Sequence, residues 1–482
     1  MTNNQQIEGT SSRARGSAEP HVHDQARAEH RIATGSSITD NPATRSPHRS
    51  GWANTVTFGA ATGLHGWCAA IVAPLTDSIA QSLNVPTGSG ATAWISAGFF
   101  LSAAATAPLA GKLADRFGAT RLMRAGLVVI TLATISAALS PNYTWLIASR
   151  IACGIGTATQ YPAALAALRQ TRNRASTTAL TAIVLTSELC FTLAPAIGSL
   201  LTQTLSWRLA LTTPVLLAVP ALIGTRSRTA TPEHDRANLL PVRLGLPSLA
   251  LFSACIVVTI VVLQSIPRAE TWIWATMLAG LVALTWYWEK RKANPSLIPV
   301  GTFHPGLRAT FLRHTSYYIS YYLIFYAAPQ WTLDSGLPPT LTPILLMTTT
   351  ASTLVTRTCI RHITITNAHR CLLIGGSAMG LAAIMAILLP LGPPLITLTV
   401  LLVLLGIPNG LIVGANQTHL YEQVPAHTIG TMAGIYRSTQ FTAGAIATAS
   451  LGTTSGNHVA VAGTALGLMA LFTYTTAVAD PR

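Results

Sequence analysis

The sequence predicts an all-α membrane protein of about fourteen transmembrane helices, arranged as two six-helix bundles with two further helices inserted between them. Three observations predict it. Half of the 482 residues are hydrophobic and only 9% are charged, against roughly 25% charged in soluble domains. The apolar residues fall in runs of about 18 to 25, the length that crosses roughly 30 Å of hydrocarbon. The basic residues then concentrate in alternate short loops, as they do on the cytoplasmic side of a multispanning protein.

In chain order the runs lie near 55–80, 91–110, 122–140, 143–168, 176–203, 207–225, 243–265, 271–288, 309–331, 337–356, 371–390, 393–414, 428–451 and 457–478. A polar stretch over 226–242 follows the sixth run, and EKRKANPSLIPVGTFHPG follows the eighth. The division is therefore six, two and six: a first bundle over 51–225, a linker with two extra helices over 226–306 and a second bundle over 307–482. Repeated halves of this kind place transport sites near the bilayer midplane, between the bundles. Residues 1–50 are rich in Ser, Thr, Arg and His, lack an apolar signal-peptide core, and are expected to form a disordered cytoplasmic tail. The irregular spacing of His21, His23, His30 and His48 there favours no metal site.

A net charge of +15 would suggest nucleic acid in a soluble protein, but its placement excludes that partner. Nineteen of the thirty Lys and Arg residues fall in alternate loops: Lys112, Arg116, Arg121 and Arg124; Arg169, Arg172 and Arg174; Arg226, Arg228, Arg236 and Arg243; Lys290, Arg291, Lys292, Arg308 and Arg313; Arg357, Arg361 and Arg370. The intervening loops hold Arg208 and Arg268. This asymmetry places both termini in the cytoplasm and the chain in the inner, or plasma, membrane. The six cysteines sit in or beside apolar runs without paired spacing, so neither a disulfide framework nor a metal site is expected.

The loop after the second run reads GKLADRFGATR. Its Gly111, Leu113, Asp115, Arg116, Gly118 and Arg121 resemble the loop signature of the major facilitator superfamily, whose fold the resemblance implies here. In that family the loop latches the two bundles together on the cytoplasmic side. Arg150, Gly154 and Gly156 in LIASRIACGIGTA resemble the family's Arg-x-x-x-Gly-x-Gly pattern, with Cys153 where Gln is usual; the family's arginine is implicated in proton coupling. LAPAIGSLL followed by SWR resembles the antiporter signature and keeps Pro195 and Gly198, while Thr181, Cys190, Ala194 and Ser199 stand where that pattern has glycine. All four are small enough for close helix contact. In its helix number the chain is similar to the drug-efflux fourteen-spanner branch, although His65 stands where that branch places an aspartate.

The chemistry should rest on the few polar residues inside the runs. Glu188 is the one carboxylate expected at mid-membrane, where burial costs roughly 2–3 kcal/mol unless it is paired, protonated or facing a wet cavity. At about 1.5 Å per residue, Glu188 lies roughly 18 Å in from the cytoplasmic end of its helix and Arg150 roughly 10 Å in from the outer end of the preceding one. These depths nearly coincide, so the two are expected to lie together, Glu188 accepting and releasing the coupling proton. His65 can also titrate. Arg437 is the strong charge inside the thirteenth run and can bind an anionic solute or pair with a distant carboxylate. Tyr318, Tyr322 and Tyr326, spaced by four, share a helix face that can stack on lipophilic or cationic compounds. Gln160, Tyr161, Asn409, Asn416 and Gln440 are further polar candidates for solute binding.

Neither a phosphate-binding loop nor a His-Glu zinc motif occurs, so no enzyme is expected. The expected function is export of a small lipophilic or cationic compound in exchange for protons, with uptake of a small organic solute as the alternative. The expected partners are the solute, protons and the lipid bilayer; no cofactor beyond the proton gradient is expected, and the chain is expected to act as a monomer.

Overall fold

The structure, a computed structural model, describes residues 47–85, 90–170, 177–226, 245–266, 268–291, 305–338, 340–362, 368–424, 429–451 and 458–479. Residues Gly51–Arg482 form one unit. Nearly all of the tail expected over 1–50 lies outside the described residues, as do Arg172, Arg174, Arg228, Arg236, Arg243 and Lys292.

Every one of the fourteen expected runs is helical. The first forms α1 (Pro47–Ala70), a 3-10 turn at Ala73–Leu75 and α2 (Thr76–Ser82); Pro74 cannot supply the next helical N–H, which accounts for the break. The second and third are α3 (Gly90–Phe117) and α4 (Ala119–Ala138), joined at Gly118, whose φ of 91° favours glycine. The fourth splits at Thr159 into α5 (Tyr143–Ala158) and α6 (Gln160–Gln170), just before Pro162. The fifth is α7 (Thr177–Thr204), which carries Pro195 inside it. The sixth is broken by Pro214 into α8 (Trp207–Thr212) and α9 (Val215–Arg226).

The inserted pair is α10 (Leu246–Ser265) and α11 (Thr271–Lys290). The second bundle comprises α12 (Pro305–Asp334), α13 (Leu341–His362), α14 (Ala368–Leu388), α15 (Pro394–Gln423), α16 (Ile429–Leu451) and α17 (His458–Ala479).

Eight of these helical segments are long and apolar enough to cross a membrane by length and composition, fewer than the fourteen runs. Part of the difference has a chemical cause. Tyrosines in α12, threonines in α13 and the Trp-rich ends of α11 lower the hydropathy of these segments, while the fourth run is divided into two short helices. The outward sides of the helices carry the exposed apolar residues a lipid-facing surface needs, among them Trp272, Leu216, Leu200 and Leu468.

Helix ends and crossings are satisfied locally. Asn142 caps α5 by accepting a 2.9 Å hydrogen bond from Trp145 N. The guanidinium of Arg208 donates to Ala138 O and Ser140 O at 3.0 and 2.8 Å, closing the end of α4. Between the bundles, α3 and α16 run antiparallel in close contact. Added at Gly111, a Cβ would overlap Gly430 O; added at Gly434, it would overlap Ala107 O. Ser438 Oγ donates to Ala104 O at 2.6 Å along the same line. The inserted helix α10 lies against both α3 and α16, beside this seam.

Within the first bundle, Gly154 brings α5 onto α3 and Gly156 brings it onto α4: a Cβ would meet Phe99 O in one case and Gly126 O in the other. Gly198 similarly places α7 against Ile71 O at the end of the first run. Gly154→Val is expected to cost about 1–3 kcal/mol through overpacking. The check is the midpoint of thermal unfolding of the detergent-purified protein, which should fall.

Candidate functional site

Polar side chains meet where the bundles face each other. Glu188, on α7 of the first bundle, accepts a 3.1 Å hydrogen bond from Asn409 Nδ2 on α15 of the second. Arg357 on α13 and Arg437 on α16 lie within electrostatic reach of the same carboxyl, as do Tyr317, Tyr318, Tyr321 and Tyr322 on α12. Of the other acidic side chains described, Asp77 and Asp334 are exposed, Glu270 pairs with Arg268 at 3.8 Å, and Glu289 sits at the end of α11. Among the described residues, Glu188 is therefore the carboxylate of the bundle interface.

Its expected partner, Arg150, is elsewhere. Arg150 Nη2 donates to Cys68 O at 2.8 Å and Nε to Ile95 O at 3.2 Å, with the guanidinium over the Phe99 ring at 4.6 Å. No ion pair joins it to Glu188 among the described residues. The equal depths inferred from helix rise were silent about direction around the helix axis. α7 packs on α1 through Cys190, Ser187 and Phe191 at Gly63 and Gly66, while Arg150 bonds the end of α1 at Cys68 O and Glu188 turns to α15. Arg150 acts as a cap, because Cys68 O belongs to the last turn of α1, whose carbonyls lack intrahelical partners. Ala69 O, one residue on, accepts a 3.0 Å bond from Tyr326 Oη of the second bundle. Arg150→Met should cost about 2–4 kcal/mol by leaving that helix end uncapped, measured as a drop in the thermal midpoint.

Arg437 is buried and reaches three kinds of partner. Its Nη1 donates to Gln440 Oε1 at 2.5 Å, and its guanidinium lies 4.7 Å from the Tyr161 ring centre and 5.8 Å from that of Phe441. Gln440 Nε2 donates on to Tyr322 Oη at 3.1 Å, and Tyr161 Oη accepts from Gln417 Nε2 at 3.1 Å. His65, also buried, sets its ring edge-on to Phe441 at 4.5 Å. The expected tyrosines line this region with others from α12: Tyr318 meets Tyr322 at 5.6 Å and Tyr322 meets Tyr326 at 6.3 Å. Phe100 and Phe191 of the first bundle complete the aromatic layer, 5.3 and 5.7 Å from Tyr322.

Two further expected solute contacts are engaged in bonds of their own. Gln160 donates from Nε2 to Thr159 Oγ1, Gly156 O and Met123 O, all inside the first bundle, where it ties α6 to α4. Asn416 Oδ1 instead accepts from Arg313 Nε at 3.3 Å. Arg313, grouped with the loop charges although it stands inside the start of the ninth run, is buried in α12.

Hydropathy reading also overlooked Arg357 and His314. Both sit at the ends of apolar runs beside basic residues and read as loop-flanking; the signal that could have found them is that each falls on a helix still long enough to carry it inward. His314 stacks on Tyr436 at 3.7 Å and meets Tyr318 at 4.8 Å.

The expected gating loop sits where the α3–α16 seam ends. Gly111 is in that seam, Gly118 starts α4, Arg116 lies over the neighbouring Phe117 ring, and Arg121 is exposed. The side chain of Asp115 lies outside the described residues. Beside this end, Tyr161 and Leu165 of the first bundle pack into one apolar cluster with Leu307, Phe311, Leu420 and Met432 of the second. Together they close the bundles at the end that bears the basic loops. Farther along the interface, the hydroxyls of Thr192 and Thr350 touch, joining α7 to α13.

Comparison with known proteins agrees with this architecture. Over 291 residues the chain is 27% identical to an uncharacterized MFS-type transporter, Rv1250, of Mycobacterium tuberculosis, covering 58% of this chain and 48% of that protein. It is 31% identical over 192 residues to the methylenomycin A resistance protein of Bacillus subtilis, covering 39% of this chain and 40% of that protein. The chain thus spans about half the length of these relatives or less. Among solved structures, the proton:xylose symporter XylE bound to 6-bromo-6-deoxy-D-glucose superposes with a TM-score of 0.64 at 12% identity, covering 89% of this chain and 96% of that one. That likeness shows the fold. The profile of the Major Facilitator Superfamily matches residues 58–448. With its all-α membrane fold of two bundles meeting at a polar interface, the chain belongs to that superfamily of transporters.

Proposed function

We propose that the protein exports a small lipophilic compound in exchange for protons, its two bundles rocking so that the interface opens alternately to each side of the plasma membrane. The observation that carries this reading is the hydrogen bond from Asn409 to Glu188. It joins the bundles through the one described carboxylate between them, with Arg357 and Arg437 attracting the same charge. Protonation removes that charge and weakens the hold, so proton occupancy and bundle separation become linked. The aromatic layer of Tyr318, Tyr322, Tyr326, Phe100 and Phe191 offers the apolar stacking surface that a lipophilic solute needs. Similarity to a protein named for methylenomycin A resistance supports outward movement of such a compound. The protein works as a monomer with both termini on the cytoplasmic side, where the basic loops are retained.

The interior carries more guanidinium groups than carboxylates, which weighs against the cationic half of the earlier expectation. Direction is tested in right-side-out vesicles with an imposed proton gradient and a lipophilic fluorescent dye. Efflux that accelerates as protons enter supports exchange. Accumulation driven by the same gradient would establish proton-coupled uptake instead.

A further inference from the structure

Resting on the transport reading above, we infer that the solute is an amphiphilic organic anion: an aromatic body carrying one negative group, which Arg437 binds between His65 and His314. The first observation is the balance of buried charge. Arg437 and Arg357 converge on the interface from α16 and α13, and Arg150 lies in the adjoining wall behind Phe99, yet Glu188 is the one described carboxylate among them. Glu188 takes its hydrogen bond from Asn409, and no carboxylate lies within ion-pair distance of Arg437 among the described residues. A second cation would raise this excess of positive charge in a low-dielectric layer, and an anion would relieve it.

The second observation is independent of charge counting. Arg437 is 8% exposed, His65 3% and His314 2%. Arg437 Nε and both ring nitrogens of each histidine have no hydrogen-bond partner. Arg437 is within electrostatic reach of both imidazoles. Each neutral imidazole carries one N–H donor, and the guanidinium has N–H groups beyond the one given to Gln440. Buried donors without acceptors are costly, so two imidazoles near one guanidinium form a place for an acceptor-rich group such as a carboxylate or sulfonate.

The third is shape. Rings surround the polar group on several sides: Tyr161 and Phe441 at Arg437, Tyr436 and Tyr318 at His314, Phe99 and Phe441 at His65. In the closed arrangement these rings fill the interface. When the bundles part, the same rings present flat apolar walls next to the guanidinium, which suits an aromatic anion better than a sugar or an inorganic ion.

The test uses the full-length protein in detergent, without any proton gradient, so its outcome does not depend on whether transport is proton-driven. Equilibrium binding of 1-naphthoate, neutral 1-naphthylmethanol and tetraphenylphosphonium is measured by calorimetry on the wild type and on Arg437→Gln. Binding of 1-naphthoate at least about tenfold tighter than of 1-naphthylmethanol, lost on Arg437→Gln, supports the inference, since a charge-assisted contact is worth about that much. Equal or weaker binding of 1-naphthoate than of the alcohol, tighter binding of tetraphenylphosphonium, or full retention in the variant overturns it. If Arg437→Gln fails to fold, the wild-type ranking of the three probes decides alone.

Discussion

Glu188→Gln is expected to lower proton-driven transport by roughly 100-fold or more, while protein level and membrane insertion stay as in the wild type. The amide is nearly isosteric with the carboxyl and can still accept the hydrogen bond from Asn409 Nδ2 through its Oε1, so the contact between α7 and α15 persists. What it cannot do is ionise. With the charge removed, neither Arg357 nor Arg437 feels a change when the external pH changes, and solute movement loses its link to the proton gradient. Exchange of unlabelled for labelled solute at equal concentration on both sides should survive, because it needs the bundles to rock but no net proton flow. Loss of that exchange together with driven transport would instead indicate a purely structural role.

Gly434→Val should also lower transport strongly, by a different route. A Cβ at this position runs into Ala107 O on α3, and backbone cannot move aside as a flexible side chain can. α3 and α16 must therefore separate, and the Gly111–Gly430 approach in the same seam is lost with them. The expected state is one held open at the basic-loop end, with turnover reduced roughly 5- to 150-fold, the population shift that an overpacking cost of about 1–3 kcal/mol produces. Leu165→Cys, buried in the apolar cluster that closes this end, should react with a membrane-impermeant maleimide far faster in the Gly434→Val background than alone. Unchanged labelling would show that the seam does not control closure.

The positions of helices along the chain were legible because crossing a bilayer imposes one length and one composition, and each of the fourteen runs is helical. Breaks at Pro74, Pro162 and Pro214 follow from proline chemistry that the sequence also displays. Glycines at 111, 154, 156 and 198 stood out as small residues, and the structure puts each at a close helix approach.

Partnership between distant helices was the illegible part. Arg150 and Glu188 match in depth by helix rise alone, yet Arg150 turns to the end of α1 and Glu188 to α15, and only packing decides which way a side chain points. Gln160 looked like a cavity residue from its polarity alone, yet it fastens α6 to its own bundle. Arg313 and Arg357 read as loop charges because each stands near the end of an apolar run; α12 already holds Arg313 within its run, and α13 continues past its own run to hold Arg357. Asn409 stands out in the sequence as a polar residue inside an apolar run, but nothing in a single sequence ties position 409 to position 188.

Release of one bundle from the other on protonation of Glu188 is tested most directly by a distance. Spin labels at Phe117→Cys on α3 and Gln423→Cys on α15, in a background without the six native cysteines, report the separation at the basic-loop end by pulsed electron resonance; both positions are exposed. Lowering the pH should shift the wild-type distribution toward longer separations, as the neutral carboxyl loses its attraction to Arg357 and Arg437, and Glu188→Gln should show the same distribution at every pH. A wild-type distribution that ignores pH, or a Glu188→Gln protein that follows it as the wild type does, would contradict the account.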